Sequence, residues 1–220
     1  MSAATVMAVK PGRFITLEGI EGAGKSTIAR YLAESLRARA ISVCLTREPG
    51  GTALAERVRT IVLERGTEEL TPVTETLLMF AARGIHLETL IRPALARGEW
   101  VVCDRFTDAT RAYQAGGRGV SSQLIEALAR AIHPTLTPDY TLLLDLPVAL
   151  GLARSKERSG NNPSDRFEAE SAVFFERVRT AYLALARQEP QRFRIIDASV
   201  PLAAVQAQVA RIVVSDFEFK

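Results

Sequence analysis

An apolar strand pattern, Phe14-Ile15-Thr16-Leu17, runs directly into Gly19-Ile20-Glu21-Gly22-Ala23-Gly24-Lys25-Ser26, and no other feature constrains the chain as strongly. Glycine, four residues, glycine, lysine and serine stand in the spacing of a phosphate-binding loop between a strand and a helix. Glycines let the backbone curl around a polyphosphate with its N–H groups pointing inward, and the helix that follows presents its positive end. Lys25 adds a point charge for the β- and γ-phosphates, and Ser26 offers a hydroxyl to Mg²⁺. As part of a loop, Lys25 is expected to be exposed.

The 220 residues fit one domain, or one domain with a mobile insertion, and such a chain can bury roughly 70% of its unfolded surface. Twenty-eight basic against 25 acidic residues leave a net charge of +3, too slight an excess to indicate a nucleic-acid partner. Cys44 and Cys103 are the only cysteines. Each lies in an apolar strand-like run, so both are expected to be buried small hydrophobes in a protein of the reducing cytoplasm. Residues 1–12 lack a charged leading region and a cleavage site and read as a disordered extension, ahead of one domain over 13–215. No run approaches the roughly 18 apolar residues of a membrane helix, so no membrane partner is expected.

Short β-like runs near 13–18, 42–46, 100–103, 139–145 and 193–196 alternate with helical patterns near 24–39, 54–65, 72–96, 121–132, 147–157, 169–188 and 201–214. That alternation predicts an α/β fold, a five-stranded parallel sheet with helices on both faces. Pro72, Pro147 and Pro201 are placed to begin helices. From Ser155 to Asp165, Lys156, Glu157 and Arg158 lead into Ser159-Gly160-Asn161-Asn162-Pro163-Ser164, a polar, turn-rich stretch between two helices that reads as a surface flap.

Trp100-Val101-Val102-Cys103-Asp104-Arg105 is a buried strand ending in an acid and then an arginine. Ligands of open parallel sheets sit beyond the carboxyl ends of the strands, so Asp104 is placed to reach Mg²⁺ and Arg105 to grip a second phosphate. Glutamate after the aspartate would have indicated a water-activating ATPase; arginine indicates a phosphorylated acceptor. Thr46-Arg47-Glu48-Pro49-Gly50-Gly51-Thr52 follows another strand end, with Arg59 beyond it. Phe80 and Arg83, three residues apart, share a helix face that could stack on a base and donate to its carbonyl. Thr110-Arg111-Ala112-Tyr113-Gln114 lies beyond the aspartate–arginine strand, and His86 and His133 read as surface or helix-end residues rather than acid–base groups.

In this order and spacing the chain resembles the thymidylate kinase family from about Gly12 to Val214. The resemblance implies a P-loop nucleoside monophosphate kinase with a short mobile lid, here at about 154–168. It also implies activity with ATP and Mg²⁺ on dTMP, and a homodimer. Gly19, Ile20, Glu21, Gly22, Ala23, Gly24, Lys25, Ser26 and Thr27 would then serve ATP, with Ser26 and Asp104 in the metal site. Arg105 would hold the dTMP phosphate, Glu21 the 3′-hydroxyl and Arg83 the thymine carbonyl. Thr110 and Gln114 would flank the base edge, Tyr113 would lie against the sugar, and Glu48, Pro49 and Arg59 would line the pocket. Either Phe80 or Met79 would cover the thymine, because Met79 stands where family members commonly carry phenylalanine. Ala109 stands where serine is common.

One branch of the family uses an arginine inside the phosphate loop; this chain has Gly22 there. The missing charge is expected from the lid, through Arg154, Lys156 and Arg158. A phosphate oxygen of dTMP is already ionised and attacks the γ-phosphorus in line, so no general base is required. Two other readings share the phosphate loop: a deoxynucleoside kinase, for which an acceptor-phosphate arginine has little use, and a nucleotide-dependent switch, for which a thymine pocket has none.

Overall fold

The computed structural model describes residues 12–64, 69–159, 167 and 170–217, so the expected extension up to residue 11 and lid residues 160–166 and 168 lie outside the described residues. Strands β1 (Phe14–Glu18), β2 (Val43–Arg47), β3 (Trp100–Asp104), β4 (Tyr140–Asp145) and β5 (Phe193–Asp197) pair in parallel in the order β2-β3-β1-β4-β5. β1 is central and buried along its whole length, which is why Phe14, Ile15 and Leu17 are apolar and why its Thr16 and Glu18 are held by hydrogen bonds. Alternation divides the sheet residues between two layers. Ile15, Leu17 and Val102 join the larger cluster, with Ile28 and Leu32 on one helix and Phe175 and Val178 on another; Phe14, Val101 and Cys103 join a second, with Leu87, Ile91 and Phe106. The outer strands β2 and β5 are only partly covered, which leaves Cys44 half-buried, contrary to expectation, while Cys103 is buried.

The helices are α1 (Lys25–Arg37), α2 (Ala53–Leu63), α3 (Pro72–His86), α4 (Arg92–Ala96), α5 (Thr107–Thr110), α6 (Ser122–Ile132), α7 (Val148–Ser159), α8 (Ala172–Gln188) and α9 (Leu202–Ser215). Thr52, Thr71 and Ser171 cap α2, α3 and α8 by accepting from the N–H three residues on, and Pro72 takes the start of α3, where no N–H is needed. The single helix expected over 72–96 instead widens into a π-helical segment at Leu87–Ile91 before α4. Pro93 has no N–H to donate back to the preceding turn, and next to it the Arg92 N–H reaches five residues back to the Leu87 carbonyl. The helical run over 107–117, α5 continued by a π-helix at Arg111–Gly117, has no counterpart among the expected elements. Its glycines hide it: a Cβ on Gly117 would come within 2.4 Å of the Phe174 ring, so tight packing on α8 selects glycine where helix propensity would not. None of the described helices is long and apolar enough to cross a membrane.

Candidate active site

The carboxyl ends of β1, β2 and β3 open into a cavity of about 410 Å³ whose wall includes Glu21, Gly24, Lys25, Ser26 and Thr27. Gly19, Ile20, Gly22 and Ala23 shape the loop without lining that cavity. Gly22 has φ +72°, and a Cβ there would stand 2.0 Å from the Gly151 carbonyl oxygen. A side chain at this position would collide with the backbone of α7 unless that backbone shifted, and the positive φ disfavours any residue but glycine. The contact also presses the base of α7 against the loop. Lys25 opens α1 and is buried rather than exposed, its Nζ donating to the Ile20 carbonyl at 2.8 Å. Burial and the nearby Arg105 charge lower its pKa to about 8, against the opposing pull of Asp104, Glu21 and Glu18. Ser26 Oγ donates to the Asp104 carboxylate at 2.6 Å, so the strand end meets the helix start as the parallel sheet dictates.

Arg105 sits at φ +72°, a left-handed conformation that a non-glycine residue holds only when its surroundings impose it. Its N–H bonds the Leu17 carbonyl at 2.9 Å, and the next N–H, of Phe106, bonds Glu18 Oε1 at 2.7 Å, so β1 pins the bend from both sides. The guanidinium is thereby aimed at Glu21 (2.9 Å), the hydroxyls of Tyr113 (3.0 Å) and Tyr182 (3.3 Å), and the Gly19 carbonyl (3.1 Å). Tyr113 donates to the other Glu21 oxygen at 2.5 Å, and Tyr182 to Glu18 at 2.7 Å. Burial and the neighbouring Asp108 push the Glu18 carboxyl up to about 8, although Arg105, the Tyr182 hydroxyl and the Phe106 N–H pull it down. Glu18 and Tyr182 escaped sequence reasoning: Glu18 reads as the last residue of a strand, and 164 positions separate the pair.

A third group forms around Arg83, only 2% exposed. Its Nε donates to Glu48 at 2.7 Å, and its Nη2 to the Phe106 carbonyl at 3.2 Å and the Thr110 hydroxyl at 3.1 Å. Its Nη1 is buried with no partner among the described residues. Phe80 is not at the cavity. Its ring lies 4.7 Å from the Arg83 guanidinium carbon and packs with Val120, Ile125 and Ala129, while Met79 lines the cavity. Phe80 and Arg83 share a helix face, as expected, but on opposite terms, the ring backing the cation from the core side. His86 and His133 stand at helix ends, as expected, the last residue of α3 and the one that follows α6, but both are buried rather than on the surface. His86 bridges Glu48 (3.1 Å) and Thr46 (2.7 Å), and His133 bonds Thr107 at 2.8 Å. Burial alone would raise the Glu48 carboxyl, but Arg83 and His86 outweigh it and hold it below the ordinary value.

Pro49, Arg59, Thr110, Tyr113 and Gln114 also line the cavity, with Arg59 Nη1 donating to the Pro49 carbonyl at 2.9 Å. Of the three expected lid cations only Arg158 lines it. Arg154 turns to the Ala198 and Ser199 carbonyls at 2.7 and 3.2 Å, and Lys156 points into solvent. Because α7 is helical through Ser159, Lys156 faces away from the other two; Arg154 and Arg158, one turn apart, share a face, and it is the bonds to the Ala198 and Ser199 carbonyls that keep Arg154 from the cavity. Arg47, a charged residue of the Thr46-to-Thr52 run, also lines the cavity, and so does Arg30, which sequence reading did not select. Arg30 was within reach of that reading, since it lies one helical turn after Ser26. Hydroxyl and carboxylate oxygens at one wall, cations around them, and a buried unpaired donor at the far end equip the cavity to hold a polyphosphate opposite a phosphorylated, hydrogen-bonding acceptor.

The family model described as thymidylate kinase matches residues 17–209. The chain is 56% identical over 202 residues to thymidylate kinase of Alcanivorax borkumensis, covering 92% of this chain and 96% of the relative. It is 58% identical over 196 residues to that of Pseudomonas syringae pv. syringae, covering 89% and 92%. Among solved structures it is similar to thymidylate kinase of Ehrlichia chaffeensis, with a TM-score of 0.71, 32% identity, and coverage of 93% of this chain and 99% of the other.

Proposed function

The chain belongs to the thymidylate kinase family, enzymes that phosphorylate dTMP to dTDP with ATP as donor, and on that premise we propose how its own residues divide the work. The loop from Gly19 to Thr27 cradles the ATP phosphates with its N–H groups, and Lys25 exchanges its bond to the Ile20 carbonyl for the β- and γ-phosphates. Arg105, already aimed by its bend, takes the dTMP phosphate. Arg158, on the helix that Gly22 and Gly151 hold against the loop, neutralises charge on the transferring group. Positioning two ionised phosphates in line leaves no proton to remove, so no side chain acts as base.

Ser26 and Asp104 would hold Mg²⁺. Their converging hydroxyl and carboxylate are the hard oxygen donors this ion takes, the rest of its shell coming from phosphate oxygens and water. Bound there, the ion would neutralise charge on the β- and γ-phosphate oxygens. We place the enzyme in the cytoplasm, on the support of its two free cysteines.

The observation that carries the acceptor assignment is the unpartnered Nη1 of Arg83. A buried donor without an acceptor costs about 1–3 kcal/mol, which a bound carbonyl would relieve. The 4-carbonyl of thymine accepts from it; the 4-amino group of cytosine would set donor against donor. Loss of the thymine methyl leaves these bonds intact and forfeits apolar contact worth about 1–3 kcal/mol. We therefore expect kcat/KM to fall in the order dTMP, dUMP, dCMP, with the larger step last. UMP should lie well below dUMP if Tyr113 crowds the sugar. Arg83→Ala should narrow the dTMP-to-dCMP gap, mainly by damaging dTMP. Steady-state kinetics across this panel provide the check, and wild-type enzyme that handled dCMP as well as dUMP would displace Arg83 from the base edge.

The homodimer has support from an apolar strip on two adjacent helices. Leu54 and Ile61 of α2, two turns apart, and Val73 and Leu77 of α3, one turn apart, are all about half exposed. Light scattering should give twice the chain mass for the wild type and one chain mass for Leu54→Asp combined with Leu77→Asp; a monomeric wild type removes the assignment.

A further inference from the structure

Gln114 lines the cavity with one end of its amide engaged behind it. Its Nε2 donates to Glu75 Oε1 at 2.7 Å, while its Oε1 accepts nothing among the described residues. Glu75 itself is fully buried on α3, and Arg118 Nε donates to the same carboxylate oxygen at 3.0 Å. Arg118 is in turn held at 2.8 Å by Glu170.

An amide can present either a carbonyl or an NH₂ group after a half-turn, and the two ends have nearly the same shape. A carboxylate paired with arginine has acceptors only. Facing Glu75, Gln114 must therefore turn its nitrogen inward and its oxygen to the cavity. The reverse would set two acceptors together in a buried site, a mismatch that costs more than one hydrogen bond is worth.

We propose that Glu75, which does not line the cavity, is a specificity-positioning residue that locks the Gln114 amide so that only its carbonyl oxygen faces the nucleobase. This rests on the reading of Arg83 and Gln114 as the base edge. Together they offer one donor and one acceptor side by side, the complement of a 4-carbonyl beside an N3–H. Cytosine presents the opposite order at both atoms. Without Glu75 the amide turns freely and offers its NH₂ group to the bare N3 of cytosine, so the base edge loses half its discrimination while Arg83 keeps the other half.

The test compares kcat/KM for dTMP and dCMP in the wild type and in Glu75→Ala, Glu75→Met, Glu75→Gln and Gln114→Leu. The dTMP-to-dCMP ratio should fall about tenfold or more in whichever of Glu75→Ala and Glu75→Met folds, with the dTMP KM raised and the ATP KM unchanged. Glu75→Gln should keep the ratio, because one amide oxygen can accept from both Gln114 and Arg118, which already share a single carboxylate oxygen. Adding Glu75→Ala to Gln114→Leu should change the ratio no further, whereas a merely structural role for Glu75 would lower activity toward both substrates in either background. A ratio that Gln114→Leu leaves untouched defeats the base-edge reading itself. A ratio that falls in Gln114→Leu but stays at the wild-type value in Glu75→Ala and Glu75→Met defeats this proposal alone. The wild-type protein supplies a measurement that needs no folded Glu75 variant. The Gln114 side-chain NH₂ signal, identified by its loss in Gln114→Leu, should show one proton shifted downfield and slow to exchange before dTMP is added. An unshifted, fast-exchanging pair overturns the proposal.

Discussion

Lys25→Ala is expected to abolish measurable phosphoryl transfer, a loss of at least about 10³ in kcat, while the melting temperature stays unchanged or rises. The activity half follows from position. Lys25 is the cation at the start of α1 in the phosphate loop, and it shares its cavity wall with Ser26 and Asp104, whose oxygens lie 2.6 Å apart. The stability half follows from burial. Its folded pKa of about 8 is below the ordinary lysine value of 10.5, so the unfolded chain binds the proton more tightly. The buried ammonium therefore opposes folding below about pH 8, and that opposition fades as pH rises through the window from 8 to 10.5. Alanine removes the opposition, and its Cβ occupies space the lysine stem already held. The same shift predicts how ATP binds. Phosphate favours the charged amine and raises its pKa, so binding takes up a proton, and ATP affinity should weaken as pH rises above about 8. Calorimetry in buffers of different ionisation enthalpy reads that proton directly. An alanine variant with wild-type melting and near-wild-type turnover would refute the phosphate-loop assignment.

Arg158→Ala comes next, with an expected loss of about 10³ in kcat and a much smaller change in dTMP affinity. An arginine that meets the transferring phosphoryl group acts on the transition state more than on bound substrate, and so appears in kcat. Arg158 is the one of the three basic residues on the last turns of α7 that lines the cavity. Arg154→Ala removes bonds to the Ala198 and Ser199 carbonyls and should cost stability rather than rate, and Lys156→Ala should change neither by much. Single-turnover kinetics on the three variants separate these roles. Equal rate losses at all three positions, or none at Arg158, would return the missing charge to another residue such as Arg30 or Arg47.

What sequence alone reveals here is local chemistry. The five strands lie within a residue of their expected limits, because β1, β3 and β4, buried on both faces, must be largely apolar, and turn residues end every strand. The residues at their carboxyl ends were equally legible, since glycine, lysine, serine, aspartate and arginine at fixed offsets leave few alternatives. Family resemblance extended this to Arg83, Tyr113 and Gln114. The helical run that carries Tyr113 and Gln114 was not legible: glycines selected by contact with α8 and a π-helical widening both erase the 3.6-residue period.

Tertiary structure decided which side chains face one another, a question that hydrophobic pattern and local spacing do not address. Phe80 and Met79 are adjacent in sequence, and only the packing of α3 sends one into the core behind Arg83 and the other to the cavity. His86 and His133 have no apolar signature, yet the fold buries both against hydroxyl partners. Glu18, Tyr182 and Glu75 act through partners 39 to 164 positions away, and a hydrogen bond across that separation leaves no trace in periodicity or spacing. The amino-acid sequence by itself therefore determined the sheet, the phosphate loop and the chemical class of the site. Folding determined the direction of each buried polar group, because that direction is set by whichever donor or acceptor the tertiary contacts bring opposite it.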